Sequence, residues 1–399
     1  MPGPLSGFRV IDVSEMISGP LAPMILADQG ADVIKVEPPG YGEAARQIMS
    51  YRAGMAALYA NCNHGKRSIG LNLKMSEGLE ILYELVRGAD VFVQNWRPGT
   101  AERLHVGEAD LREINPDLVY ASVTGYGDDG PYASRRGYDP IFQALTGYVS
   151  AQTNPQIPIP DLVRNAVVDK ATSHQLAQGI TAALLARERG APGQHVRVAM
   201  LDAGLSFFWP DGMMRHTLVG EGVENPVAPG ERFQMLATSD GQLVTWMGTS
   251  DQMRDGLRAV GRADLADDPS QRGRPMLEQA NQEARAEAMN EAIAKLTTAE
   301  AYERFVAHEV PAAPILTPSE VFEDPQIVHN GSVLEGEHPV YGSYRRARPP
   351  LHFSGAPFEE TPAPALYAEH TDEILAELGH DPADRERLRE KGVIPTPRS

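Results

Sequence analysis

Six short apolar runs separated by helical stretches constrain the first 200 residues more than any other feature. FRVIDV (8–13), ADVIKVE (31–37), ADVFVQN (89–95), DLVYASV (117–123), RNAVVD (164–169) and QHVRVAM (194–200) read as strands. Between them, helical periodicity covers 20–30, which opens on Pro20 and closes on Gly30, and then 76–88, 99–107, 108–114, 138–150 and 172–189. Runs in which apolar residues predominate suit strands covered on both faces. Short strands of that kind joined by helices predict an α/β fold with a Rossmann-like, doubly wound, mostly parallel sheet.

Beyond residue 200 the pattern changes. Gly and Pro punctuate 201–230 without a clean period, which reads as a linker. FQMLATSDGQLVTWMG (233–248) spells two short strands around Asp240-Gly241, and 251–308 is mostly helical. The expected organisation is a large α/β domain (1–200), a linker (201–230) and a small α+β domain (231–309). A Pro-rich return linker (310–347) and a C-terminal arm (348–399) on the large domain complete it. A chain of 399 residues is long for one core, which agrees with two lobes.

The formal charge of −18 argues against a nucleic-acid or membrane-surface partner. Its distribution is uneven. Residues 44–76 contain no Asp or Glu but hold Arg46, Arg52, Lys66, Arg67 and Lys74, a stretch suited either to a small polyanion or to a solvated face. Cys62 is the only cysteine, so no intrachain disulfide can form. No run approaches the roughly 20 apolar residues of a membrane helix, and the N-terminus lacks the pattern of a signal peptide. The expected location is the cytoplasm.

Several chemistries are excluded by their missing residues. The turn after VIDV is Ser14-Glu15-Met16-Ile17-Ser18-Gly19, without the glycines that let a backbone approach a pyrophosphate. Glu37, placed like a ribose-binding acid, does not rescue a nicotinamide site alone. The eleven histidines show no metal-ligand spacing, and no metal is expected; a G-x-S-x-G elbow is absent as well. Asp169 is the remaining candidate. Thr172-Ser173-His174-Gln175 spells a capping box, which would start the helix at Thr172 and leave Asp169 at the carboxyl end of a strand. A carboxylate there is either structural or a nucleophile toward an acyl group.

Asp169 and ALLARERGAPGQHVRVAMLDA (183–203) strongly resemble family III CoA transferases. So do PLSGFRVIDVSEMISGPLAPMILADQGADVIKVEPP (4–39), NHGKRSIGLNLK (63–74), DVFVQNWRPG (90–99), GYDPIFQALTG (137–147) and HTDEILAELG (370–379). The resemblance spans essentially the whole chain. It implies that Asp169 is the catalytic nucleophile, forming an aspartyl–acyl anhydride and then an aspartyl-CoA thioester that passes CoA to a free carboxylic acid. It implies CoA contacts from Ile17, Ser18, Leu71, Asn72, Leu73, Lys74, Asn95, Trp96, Arg97, Arg103, Arg136, Gly137, Tyr138 and Asp139. The acid-free basic stretch then reads as a cradle for the CoA phosphates. Coenzyme A and acyl-CoA enter as substrates, with no tightly bound cofactor, and the partner chain is a second copy in an interlocked, ring-shaped homodimer.

Two departures from the pattern stand out. Pro38 follows K-V-E where formyl-transferring members carry an arginine, and TWMGTS (245–250) holds one glycine where those members have a glycine-rich flap. Two alternatives remain. The α-methylacyl-CoA racemases share the overall pattern but use a histidine in a G-H-D triplet, which here is Gly137-Tyr138-Asp139. A non-catalytic acyl-CoA binder would leave Asp169 unmodified. Met200, Phe207, Phe208 and Trp209 point to a substrate larger than formate, or to packing.

Overall fold

The computed structural model of the chain describes residues 3–152, 160–224, 234–267 and 279–396. Positions 225–233 and 268–278, within the expected linker and small domain, lie outside the described residues. The chain divides into two compact units, Met1–Gly212 with Gly331–Ser399, and Met213–Asn330.

The first unit is built on six strands: β1 (Arg9–Asp12), β2 (Asp32–Glu37), β3 (Lys66–Gly70), β4 (Val91–Gln94), β5 (Val119–Thr124) and β6 (His195–Ala199). They pair in the order β3-β2-β1-β4-β5-β6, every pair parallel. This is the 3-2-1-4-5-6 order of doubly wound sheets, with its switch point between β1 and β4. Val10 stands opposite both Val33 and Val91, and Ala121 opposite Val93 and Val196.

Successive residues feed opposite faces. Ile11, Ile34, Val36, Phe92 and Tyr120 pack with α3 (Ser76–Arg87) and with Ile374, Leu375 and Leu388 from the C-terminal helices Thr371–Glu377 and Pro382–Glu390. Val10, Val33, Val91, Val119 and Ala121 pack on the other face with α1 (Leu21–Ala27) and the 22-residue helix α6 (Val167–Glu188). Three further helices matter for the site: α2 (Ala57–Asn63), α4 (Glu108–Ile114) and α5 (Asp139–Thr146).

Local structure departs from the sequence reading in four places. KRSIG is a strand that apolar patterning misses, because the polar side chains of Lys66 and Ser68 are paid for by buried partners, Asp12 and Glu37. Residues 164–169 are not a strand: α6 begins at Val167. Thr172 therefore sits inside the helix, its hydroxyl donating to the Val168 carbonyl at 2.8 Å, and is no cap. The stretch 201–212 is not linker but the body of α7 (Met200–Gly212), and 333–347 forms an antiparallel hairpin, Val333–His338 with Gly342–Ala347. The apolar run LDAGLSFFW holds the helix, and Pro210 falls in its last turn.

In the second unit, strands Gln234–Ala237 and Gln242–Thr245 form the hairpin around Asp240-Gly241, and Ala312–Pro314 adds a third strand. Leu236, Leu243, Leu257, Met289 and Phe305 form its core.

Candidate active site

In a doubly wound sheet the loops at the strand carboxyl ends diverge at the switch point and open a crevice there. Ile17 and Ser18 lie on the loop after β1, and Asn95 to Arg97 follow β4, the two loops that flank the switch. Leu71 to Lys74 follow β3 on the same edge of the sheet. Because α6 leads back into parallel strand β6, its N-terminus also points to this edge, and contact with the β1 loop confirms it. The Ser173 hydroxyl lies 2.9 Å from the carbonyl oxygens of both Ser18 and Asp169.

Asp169 is the third residue of α6 rather than a strand terminus. The preceding cap residue, Ala166, supplies no side-chain acceptor. Asp139, 30 residues earlier, does so instead: its Oδ2 accepts from the backbone N–H of Val168 at 2.7 Å and of Asp169 at 3.0 Å. Gln143, one turn on in α5, accepts from Val163 N–H at 2.9 Å and donates to the Asn165 carbonyl at 3.2 Å, which fixes the chain entering the helix. Asp139, the first residue of α5, thus caps α6, which the local sequence of α6 does not.

The consequence for Asp169 is electrostatic. Burial, then the nearby negative charge of Asp139, push its carboxyl up to about 7, while a hydrogen bond with Ser18 draws it partly back. The sequence alone suggests a fully ionised carboxylate at neutral pH; in the fold it is poised close to half protonation. A helix N-terminus normally favours the anion, and here burial and the Asp139 charge outweigh that field at Asp169.

The expected contact residues fall into distinct groups. Ile17, Ser18, Asp139 and Asp169 are brought together by the bonds above. Asp139 is 5% exposed, with its other oxygen accepting from Gln143, so its side chain belongs to the scaffold of α6. Asn95 accepts from Glu15 N–H at 2.8 Å and returns a bond to the Glu15 carbonyl at 2.7 Å, tying the two switch-point loops together. Leu71 is buried in the core, and Trp96 and Leu73 pack against that core. Lys74, Arg97, Arg103 and Arg136 are exposed cations. Tyr138 precedes α5 and is 67% exposed, and Gly137 packs against the ring of Phe142.

The basic stretch 44–76 is a different matter. Arg46 forms a bidentate pair with Glu37, both bonds 2.6 Å, and Lys66 bonds Asp12 at 2.7 Å. Arg67 bonds Asp32 at 2.8 Å and Glu377 at 2.6 Å. Acid-free in sequence is not acid-free in space, and three of its five cations are neutralised by acids from outside it. Glu37 is thereby committed to Arg46. Of the histidines, His64 is buried against Asp28 at 2.9 Å, and His174 is exposed. Met200 and Phe208 join the core, whereas Phe207 and Trp209 are exposed. No cluster of three metal-ligating side chains occurs among the described residues.

The comparisons with known proteins agree across the chain. The model of CoA-transferase family III matches residues 5–371. The chain is 32% identical to the succinyl-CoA:glutarate CoA-transferase of Mus musculus, over 98% of this chain and 90% of that protein. It is 34% identical to the formyl-CoA:oxalate CoA-transferase of Streptomyces coelicolor, over 98% and 99%. Among solved structures, a CAIB/BAIF family protein from Brucella suis superposes with a TM-score of 0.80 at 28% identity, covering 95% of this chain and all (100%) of that one.

Proposed function

The chain belongs to CoA-transferase family III and is an enzyme of that type, and on that premise we propose that it moves CoA from an acyl-CoA to a small free carboxylic acid with Asp169 as the nucleophile. An oxygen of the Asp169 carboxylate attacks the thioester carbonyl; the C–S bond breaks and an aspartyl–acyl anhydride forms with release of CoA thiolate. The thiolate attacks the aspartyl carbonyl and expels the donor acid, leaving an aspartyl-CoA thioester. The acceptor carboxylate attacks that thioester and again frees the thiolate. Attack of the thiolate on the acceptor's acyl carbon then yields the new thioester and regenerates Asp169. No net proton is consumed.

One observation carries this reading: a partly buried carboxylate, poised near pH 7, in contact with the switch-point loop of a family III chain. A carboxylate of raised basicity is a better nucleophile than an ordinary one, and one raised to about 7 is still partly ionised at neutral pH. The exposed Lys74, Arg97, Arg103 and Arg136 are the proposed partners of the CoA phosphates, since the buried cations of 44–76 are already paired. The unit Met1–Gly212 with Gly331–Ser399 is proposed as the CoA-binding domain and Met213–Asn330 as the small domain.

A homodimer of interlocked rings is part of the proposal, and Phe207 at 58%, Trp209 at 44% and Val219 at 87% exposed are side chains that such a partner would cover. A cytoplasmic location is supported by the lone, buried Cys62. No helix among the described residues is long and apolar enough to cross a membrane. The test is trapping. Incubation with acyl-CoA and then hydroxylamine should leave a hydroxamate on Asp169, and Asp169→Asn should abolish both adduct and turnover. Exchange of the α-proton with deuterated water and no adduct would instead identify a racemase.

A further inference from the structure

Four charged side chains lie beneath the loop Ser14–Pro20 without a part in the transfer chemistry. Asp12, Lys35, Glu43 and Lys66 are each 2% exposed or less. Lys35 stands 3.2 Å from Glu43 and 3.5 Å from Asp12, and Lys66 stands 2.7 Å from Asp12. Formal charge cancels within the group. Buried ion groups of this kind are weak contributors to stability, and apolar replacements of similar volume often match them. Stability therefore does not account for them.

What the four share is the backbone of the loop. Lys35 donates to the Ser14 carbonyl. Glu43 accepts from Met16 N–H at 2.7 Å, and Met16 holds a left-handed φ of 70°, a strained conformation for a side chain of its size. Lys66 donates at 2.7 Å to the Pro20 carbonyl, to Asp12 and to Asn63, so three acceptors claim all three ammonium protons. Asn95 takes both backbone groups of Glu15, and Ser173 bridges the Ser18 and Asp169 carbonyls. The loop is thus gripped at its start, its strained middle and its end by buried ions, and the stretch between, held by Ser173, is the one that meets Asp169.

We propose that Asp12, Lys35, Glu43 and Lys66 are positioning residues that preorganise the Ser14–Pro20 loop so that Ser18 is held against Asp169. The proposal rests on the reading of Asp169 as the nucleophile. Preorganised polar groups around a reacting centre avoid reorganisation at the moment of reaction, and a displacement of about 1 Å costs on the order of a hundredfold in rate. Buried ions grip a loop more rigidly than surface bonds, because neither partner has water as an alternative.

The test is the double variant Lys35→Met with Glu43→Met, which keeps the charge balanced and the volume filled. The expected result is a folded protein with wild-type far-UV circular dichroism, kcat lowered at least tenfold, and KM for acyl-CoA changed less than threefold. A second readout needs no turnover: the pH midpoint for labelling Asp169 with a water-soluble carbodiimide and glycinamide, read by peptide mass spectrometry. Release of Ser18 should move that midpoint upward, because its hydrogen bond favours the anion. Of the titratable groups coupled to Asp169, Asp139 from α5 is untouched in the variant, and Cys62 from α2 loses the opposed influences of Glu43 and Lys35 together.

A folded double variant with unchanged kcat and labelling midpoint overturns the proposal. So does failure of both the double variant and the milder Glu43→Gln to fold, which makes the ions a requirement of the fold. Failure of the transferase reading has a separate signature. The wild-type protein then forms no Asp169 adduct with acyl-CoA, while the labelling midpoints still report whether the ions govern the loop.

Discussion

Replacement of Asp169 by Asn should make the protein more stable, and only above a defined pH. The native carboxyl is raised from the ordinary 3.8 to about 7 by burial and by Asp139. Below pH 3.8 both folded and unfolded chains hold the proton, and the group's contribution to stability is fully present. Between 3.8 and 7 the folded protein still binds a proton that the unfolded chain has released, so stability falls as pH rises, by about 1.4 kcal/mol per pH unit. Past 7 the contribution is lost. The interval corresponds to at most about 4 kcal/mol, an upper bound because the side chain is only partly buried. Asparagine is isosteric with the neutral acid and carries no such dependence. Urea denaturation of wild type and Asp169→Asn at matched pH values from 5 to 8.5 should give midpoints that separate progressively and then run parallel above about pH 7.5. A difference that stays constant over that range, or one in which the wild type gains with pH, would show that the carboxyl is not raised.

The remaining expectations concern the neighbours. Asp139→Asn removes the negative charge but keeps an oxygen for the start of α6; the rising limb of kcat/KM, expected near pH 7 in the wild type, should move to lower pH, and an unmoved limb refutes the coupling. Gly19→Ala places a Cβ 2.4 Å from Ser14 Cβ and 2.9 Å from Asn95 Cγ, both pinned; destabilisation of about 1–3 kcal/mol by chemical denaturation and a loss of turnover should follow. Cys62 is buried, with its thiol pushed up to about 11 by burial, so Ellman's reagent should register no thiol in the native protein and one after denaturation. Rapid native labelling would contradict the packing of α2.

The sheet is legible in the sequence where apolar residues dominate a strand, as in β4 and β5, and in β1 and β2 despite their buried Asp12, Lys35 and Glu37. It is not legible in β3, whose Lys66 and Ser68 are buried only because Asp12 on β1 and Glu37 on β2 wait for them. The start of α6 fails for a related reason. Val167-Val168 has strand propensity, and the capping box at Thr172 offers a plausible start, but the cap that wins is Asp139, from another helix. Tertiary partners override local signals in both cases. The same holds for the basic stretch. A count of charges along the chain cannot reveal that Arg46 and Glu37 meet, or that Arg67 reaches 310 residues forward to Glu377. Asp169 itself stands out in the sequence; Asp139 reads there only as a CoA contact, and its part in capping α6 and tuning Asp169 is not legible.

The interruption of the first unit by Met213–Asn330 bears on how the protein is made. One face of the six-stranded sheet is closed by Ile374, Leu375, Leu388 and Val393, residues translated after the whole second unit. A nascent chain that has emerged through Gly212 carries all six strands and α3 but lacks the C-terminal residues that complete that face, an aggregation hazard that chaperones exist to cover. Completion of the first unit's core therefore waits for a segment translated after the whole second unit.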